Sequence, residues 1–200
     1  LTKVDASQIV IEGDQVTLGT GQQMDLGGIA KGYTSARIME IYREYGITSG
    51  MVSLGGNVQT LGTRPDGKDW NIGIQNPDGQ QGSLLAALPV ENKAVITSGG
   101  YERYFEEDGN TYIHILNPKT GYPADSGLVS VSIISENGML ADALSTSLCL
   151  MGEEKAAEYW RTHADAFDMI LEDKDGILYV TEGISQEIQT DNTMIVLNIN

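Results

Sequence analysis

The chain has 200 residues, 40% of them hydrophobic and 20% charged, which is enough for one or two globular domains with a proper core. Its formal net charge of −16 repels polyanions and argues against nucleic acid and anionic membrane surfaces as direct partners. No apolar stretch approaches the length of a membrane span. The single cysteine, Cys149, lies in an apolar run and is predicted to be a small buried residue that forms no internal disulfide.

Hydrophobic periodicity and turn residues predict an α+β fold with mainly antiparallel strands, because strands outnumber helices and do not alternate with them. The first helix is expected to bury a face made of Ile38, Ile41, Tyr42 and Tyr45. The predicted helices cover residues 32–45, 141–151 and 153–164. The predicted strands cover residues 8–11, 15–18, 51–54, 58–61, 70–75, 84–88, 94–97, 101–106, 112–116, 129–135, 168–171, 177–181 and 193–197.

A glycine-rich segment precedes the first predicted helix and begins at Asp25, an acid expected to be buried. The free N–H groups at the helix start, the positive end of the helix dipole and Lys31 suit a phosphate or pyrophosphate. Gly27 and Gly28 let the backbone approach a ligand closely and can expose carbonyl groups to a cation. The segment matches neither standard nucleotide-binding pattern, and a simple glycine-rich turn before a surface helix also explains it.

Two oxygen-bearing side chains, those of Asp142 and Thr146, stand four residues apart in a predicted helix and therefore share one of its faces. A carboxylate, a hydroxyl, main-chain carbonyls and water form a hard-oxygen site that suits Mg²⁺ or Ca²⁺ and does not suit zinc. The alternative is that Asp142 merely caps the N-terminus of this helix and that Thr146 has no special role.

The chain contains two histidines, and they have different predicted roles. His114 faces opposite to its two isoleucine neighbours on a strand that ends at a proline-bounded turn, a usual position for functional side chains. A hydrogen-bonded structural role for His114 remains open. His163 lies near the end of a charged helix and is predicted to be a surface residue that compensates the helix dipole. Arg103 could hold a phosphate or pair with one of the many acids.

Six segments, taken together and in this order, resemble the ApbE family of flavin transferases over roughly residues 8 to 180. The segments are DLGGIAKGY at 25–33, VSLGGN at 52–57, SGGYERY at 98–104, HILNPKTGYP at 114–123, LVSV at 128–131 and ADALST at 141–146. The resemblance implies an enzyme that uses Mg²⁺ to split the pyrophosphate of FAD, moves FMN onto a threonine hydroxyl of an acceptor protein and releases AMP. Two alternatives are an FAD pyrophosphatase and an FAD-binding or trafficking protein, and a third is an inert α+β domain.

The same resemblance assigns a metal site to three residues of this chain. The metal ion would be held by the side chains of Asp142 and Thr146 and by a backbone carbonyl of the glycine loop, that of Gly28. Ser145 lies beside these ligands and would assist through water.

The resemblance also assigns the flavin-binding and catalytic residues. Asp25 and Lys31 would contact FAD, and the region around Leu116 would line the flavin nucleotide. His114 would be the base that activates the acceptor hydroxyl, which agrees with the ability of a neutral imidazole to accept a proton.

Two further expectations come from the resemblance. Residues 1–200 would be the C-terminal part of an ApbE-like domain, without the N-terminal portion that closes over FAD. Such a segment would carry most of the metal site but only part of the FAD site, and it could be inactive alone. The expected location is outside the cytoplasm, in the periplasm or at the outer face of the cell membrane, where the precursor could carry a lipid anchor.

Overall fold

The computed structural model describes residues 1–77, 79, 82–101 and 103–200, with only the backbone of Asn110. Its helices are α1 (Ala30–Glu44), α2 (Gly138–Met151) and α3 (Glu153–Arg161). Its strands are β1 (Val10–Glu12), β2 (Gln15–Thr17), β3 (Gly50–Leu54), β4 (Asn57–Leu61), β5 (Trp70–Gln75), β6 (Leu84–Val90), β7 (Ala94–Gly99), β8 (Tyr104–Glu107), β9 (Asn110–Ile113), β10 (Leu128–Ser135), β11 (Asp168–Asp173), β12 (Leu178–Thr181) and β13 (Met194–Leu197).

A seven-stranded sheet organises the molecule, with strand order β13-β12-β11-β10-β7-β4-β3. Neighbouring strands run antiparallel except β12 and β13, which are parallel. Three separate hairpins, β1–β2, β5–β6 and β8–β9, lie outside this sheet. The predicted α+β class with mainly antiparallel strands is therefore confirmed.

Apolar residues alternate along the central strands, so the sheet buries both of its faces. On β7, Ile96 joins a cluster with α2 and α3 that includes the fully buried Trp160. The next residue back, Val95, joins a cluster on the opposite face with Ile72 and Leu88 of the β5–β6 hairpin. The sheet is thus the middle of three layers, with helices on one face and a hairpin on the other.

Helix α1 does not bury the face that its apolar residues predict. Tyr45 is 82% exposed, whereas Gly32, Ser35 and Met39 are buried. The reason is a close approach of α2, since a Cβ on Gly32 would collide with the carbonyl oxygen of Gly138. Small residues at the start of α1 therefore define its packed face more than the large apolar residues near its end.

Two element boundaries differ from the predicted ones for identifiable reasons. Helix α2 begins at Gly138, before the predicted 141, because Asn137 Oδ1 accepts a hydrogen bond from the backbone N–H of Leu140 at 3.1 Å and caps it. Strands β8 and β9 are displaced from the predicted 101–106 and 112–116. Asp108 and Gly109 have φ of 51° and 77°, so this Asp-Gly pair forms the tight turn that sets the hairpin register.

Candidate functional site

Asp142 lies in the second turn of α2, and its side chain is only 4% exposed. Its Oδ2 accepts a hydrogen bond from the backbone N–H of Gly32 at 2.7 Å, and its Oδ1 accepts one from Asn57 Nδ2 at 3.1 Å. Both donors are neutral, and within the described residues no ion pair includes this carboxylate. A buried negative charge is therefore held by amide dipoles, among them the positive end of α1.

The proposal that Asp142 caps its own helix is wrong, because Asn137 fills that position. The carboxylate caps a different helix. Ile29 begins α1 without a side-chain hydrogen bond, and Asp142 reaches from α2 to the N–H of Gly32 in the first turn of α1. The acid thus joins the starts of two helices at one point.

A group of hydroxyls extends from Asp142 along α2. Ser145 Oγ donates to the backbone carbonyl of Asp142 at 2.9 Å. Ser98 Oγ, on β7, lies 2.8 Å from Ser145 Oγ and 3.3 Å from Thr146 Oγ1. The Asp142 end of α2 therefore presents one carboxylate and several neutral oxygens, as the four-residue spacing of Asp142 and Thr146 predicts.

This donor set fits a hard cation that keeps water or phosphate oxygens as further ligands. No group of three or more His, Cys, Asp or Glu residues with metal-site geometry occurs in the described part of the chain. The carboxylate at this point is that of Asp142, whose oxygens can each accept beyond the one bond that they have. Mg²⁺ is commonly bound by one or two carboxylates together with substrate phosphates, which agrees with such a sparse set.

The glycine loop ends where α1 begins. Asp25 is exposed, contrary to the expectation of burial, because its carboxylate folds back to accept the N–H of Gly27 at 2.6 Å. Gly28 is also exposed, and a Cβ added to it would meet no atom within 4 Å. The loop is thus open on its outer side, and Gly32, the third residue of the helix that follows, contacts Asp142.

A cavity of about 680 Å³ lies between the sheet and the β5–β6 hairpin, within the usual size of a ligand pocket. Lys31, the Gly55-Gly56 turn, Thr97 and Arg103 line parts of its wall. Its described lining residues include two cations and no acid, in a chain of net charge −16. The cavity therefore offers a local positive site that suits a phosphorylated ligand.

His114 follows β9 and is exposed. Its Nδ1 lies 3.2 Å from the backbone carbonyl oxygen of Arg103, which assigns the proton to Nδ1 and leaves Nε2 as the acceptor. The ring lies beside a second, more open cavity of about 350 Å³ that Leu116 and Phe105 also line. Arg103 lines both cavities, so the histidine and the cationic cavity are neighbours.

His163 behaves as the sequence predicts. It stacks on Tyr159 with ring centroids 4.2 Å apart, and its Nδ1 lies 2.8 Å from the Tyr159 carbonyl oxygen. Tyr159 lies near the end of α3, and neither Tyr159 nor His163 lines either cavity.

The structure groups the predicted site residues into three neighbouring sets. Asp142 and Thr146 lie one turn apart on α2, Lys31 lines the large cavity, and His114 and Leu116 line the small one. Asp25 lines neither of these two cavities. Reasoning from sequence missed Asn57 as a partner of Asp142, although it ends the VSLGGN segment, whose glycines form the wall of the large cavity.

The fold and site define a class of α+β protein with a buried acid at a helix junction beside a cationic cavity. The model of the ApbE family matches residues 1–171, and the chain belongs to that family. No helix in the described residues has both the length and the apolar character needed to cross a membrane.

Curated relatives and solved structures carry the same family likeness. A Klebsiella pneumoniae protein named FAD:protein FMN transferase is 40% identical over 145 residues, which cover 72% of this chain and 44% of that protein. A Treponema pallidum protein of the same name is 38% identical over 149 residues, covering 70% and 41%. The chain spans about half the length of the curated relatives it matches.

Among solved structures, the ApbE protein of Thermotoga maritima superposes with a TM-score of 0.80 at 34% identity, covering 88% of this chain and 58% of that one. The flavin transferase ApbE of Vibrio cholerae gives a TM-score of 0.74 at 28% identity, covering 94% and 56%. The likeness therefore extends to the arrangement of the sheet and its helices.

Proposed function

We propose that this chain is the C-terminal part of an ApbE-like domain that transfers FMN from FAD to a threonine of an acceptor protein, with Mg²⁺ and with release of AMP. Its named relatives are FAD:protein FMN transferases, which supports flavin transfer to a protein. One observation carries the proposal. Among the described residues, the hydrogen-bond partners of the buried Asp142 carboxylate are neutral, and one of them is Gly32, which adjoins the Lys31 of the cationic cavity.

In this proposal the cation is held by the Asp142 carboxylate, Thr146 Oγ1 and the backbone carbonyl of Gly28. Thr146 is one helical turn after Asp142 in α2, and its hydroxyl lies 3.3 Å from that of Ser98. Gly28 belongs to the open loop before α1. Mg²⁺, when bound, neutralises charge on the pyrophosphate as it is split.

The FAD substrate is assigned to the 680 Å³ cavity and its margins. Lys31 and Arg103 attract the phosphates, which the overall charge of the chain would otherwise repel. Leu116, 54% exposed beside the smaller cavity, offers apolar surface to the flavin. Asp25 is assigned to FAD on the family resemblance, and its exposed position in the glycine loop leaves it accessible.

His114 is assigned as the general base. The acceptor's hydroxyl oxygen forms a bond to the phosphorus of the FMN half, its proton passes to Nε2 of His114, and the bond to the AMP phosphate breaks. Because Nδ1 faces the carbonyl oxygen of Arg103, the neutral ring presents Nε2 outward to receive the proton. Positioning and charge neutralisation supply most of the catalysis in such a transfer, so a single base is sufficient.

The test uses a protein that also contains the N-terminal portion proposed for this domain. It is incubated with FAD, Mg²⁺ and candidate acceptor proteins, after which the acceptor is weighed and AMP is quantified. An acceptor heavier by one FMN, with matching AMP, supports the proposal. Free FMN with AMP and no labelled acceptor identifies a pyrophosphatase. Stoichiometric FAD uptake without AMP identifies a binding or trafficking protein, and neither result identifies an inert domain. The location outside the cytoplasm is likewise proposed, and cell fractionation tests it.

A further inference from the structure

We infer that Asn57 is a positioning residue, which orients the Asp142 carboxylate toward the cation of the proposed function. Asn57 is the first residue of β4 and is 1% exposed. Its Nδ2 donates to Asp142 Oδ1 at 3.1 Å across 85 positions of sequence. The inference rests on the proposed cation site, although it concerns a residue that no ligand assignment includes.

The two donors to Asp142 act on different oxygens and so fix the rotation of the carboxylate. The N–H of Gly32 binds Oδ2 and comes from the helical backbone, so its direction is set by α1. Asn57 binds Oδ1 and comes from the sheet. With either donor alone the carboxylate could rotate about the remaining bond, whereas with both it is held in one plane.

The amide suits this task better than a cationic side chain would. A lysine or arginine in its place would neutralise the carboxylate and compete with a divalent ion for it. An amide N–H₂ donates one hydrogen bond and leaves the negative charge in place. Mutation of a residue that hydrogen-bonds to a metal ligand commonly lowers metal affinity by about 10- to 100-fold.

The local backbone does not itself require asparagine at this position. The turn between β3 and β4 is made by Gly55 and Gly56, whose φ values of 59° and 92° are the ones that need glycine. Asn57 then pairs with Leu54 in the regular ladder. An apolar residue would satisfy the burial, so the buried amide is explained by its partner Asp142.

The same turn also connects the carboxylate to the ligand cavity. Gly55 and Gly56 line the large cavity, and Val58 lines it from the sheet. Asn57, between them, faces Asp142 instead. A ligand bound against this turn would therefore contact the backbone directly before Asn57, whose side chain donates to the Asp142 carboxylate.

The test compares Asn57→Leu with Gln59→Leu in the full chain. Gln59 is the next residue of β4 that faces the helices, is 4% exposed, and accepts a hydrogen bond from the Ser35 hydroxyl at 2.8 Å. Both variants remove a buried amide from one face of one strand, but only Asn57 touches Asp142. The probe is Mn²⁺ in place of Mg²⁺, titrated by electron paramagnetic resonance with and without FAD, alongside thermal melts.

We expect Asn57→Leu to weaken Mn²⁺ binding about tenfold or more, and Gln59→Leu to change it less than about twofold. Asn57→Ser, which keeps a donor, restores part of the affinity, and it replaces the leucine variant if that one does not fold. Equal Mn²⁺ affinity in the two leucine variants, or no Mn²⁺ binding by the wild type in either condition, overturns the inference.

The outcome for Asn57 is separable from the outcome for the proposed function. If Mn²⁺ binding depends on Asn57 but the protein that also contains the N-terminal portion transfers no FMN and releases no AMP, the inference about Asn57 stands and the proposed function is refuted. If the wild type transfers FMN and Mn²⁺ affinity is indifferent to Asn57, the proposed function stands and the inference is refuted.

Discussion

The backbone N–H of Gly32 and the carboxylate of Asp142 are 110 positions apart in sequence and are joined by a hydrogen bond of 2.7 Å. One acid thereby hydrogen-bonds the N-terminal turn of α1 and supplies the carboxylate of the proposed cation site. Structural and chemical roles therefore coincide at Asp142, and variants must be chosen to separate them.

Asp142→Ala is expected to abolish Mg²⁺-dependent AMP release and also to lower stability. Loss of a helix cap costs about 0.5–2 kcal/mol, and the variant leaves the buried amide of Asn57 without its acceptor. Asn137→Ala is the matched control, because it removes the cap of α2 without touching the carboxylate. Denaturant unfolding and AMP assays on both variants measure the two effects. Normal turnover by folded Asp142→Ala would end the metal assignment.

Gly32→Ala is expected to destabilise the protein, because the added Cβ would collide with the carbonyl of Gly138 and lie 2.6 Å from Cβ of Asp142. Overpacking of this kind typically costs about 1–3 kcal/mol. Gly28→Ala is the control, since its Cβ meets nothing within 4 Å and the backbone carbonyl is kept. Thermal melts of the two variants compare the sites. If both melt like the wild type, the close contact of α1 and α2 is wrong.

His114→Ala is expected to retain FAD binding and fold while losing about 10²–10⁴-fold in single-turnover transfer to the acceptor. The side chain is exposed and has one hydrogen bond, to the Arg103 carbonyl, so little stability depends on it. His163→Ala, on the surface beside Tyr159, serves as the control and should transfer FMN at the wild-type rate. A fully active His114→Ala would remove this histidine from the mechanism.

Lys31→Ala is expected to weaken FAD binding by about tenfold or more, because hydrogen bonds to charged groups contribute about 1.5–3 kcal/mol. The control is Lys119→Ala, which removes the same charge from an exposed turn outside the large cavity. Quenching of flavin fluorescence gives both dissociation constants. Equal dissociation constants for FAD in the two variants would show that Lys31 contributes no more to FAD binding than a lysine outside the large cavity does.

Burial raises the pKa of the Cys149 thiol to about 11. In the unfolded chain the thiol ionises near its ordinary pKa of 9.0, so the stability contributed by the buried neutral thiol is complete below that pH and is lost as pH rises towards 11. The free energy of unfolding should therefore fall by up to about 1.4 kcal/mol per pH unit across this window, relative to Cys149→Ala. Urea unfolding of both proteins from pH 7 to about pH 10.5 checks this. A wild-type-minus-variant difference that stays constant with pH would contradict the assignment.

The sequence allowed the elements to be predicted where local signals are strong. The hairpins and the three helices follow from periodicity and glycine turns, and the spacing of Asp142 and Thr146 identified the oxygen-bearing face of α2. The errors have local causes too. The predicted start of α2 at residue 141 leaves out the turn that Asn137 caps, and the predicted strands 101–106 and 112–116 do not use the Asp108-Gly109 turn to set their register.

The contacts that assemble the site could not be predicted in the same way. Gly32 belongs to the segment 25–33, whose sequence gives no sign of a contact with α2, yet a Cβ on Gly32 would collide with the backbone of Gly138. Asn57 follows two glycines and resembles an ordinary turn residue until the partner from α2 is known. Such pairings depend on how distant elements pack, which neither propensity nor periodicity encodes.

The wide sequence separation between Asp142 and its two donors also governs when the site comes into existence. Strands and helices rich in local contacts form early, whereas pairings across 110 and 85 positions carry a large closure entropy and form late. A chain emerging from the ribosome therefore carries an uncapped α1 until α2 has been made and docked. A ligand that binds only the native state stabilises that state, so the cation would further stabilise the folded chain once the site has formed. In the proposed function, an incompletely folded chain would then be unable to cleave FAD.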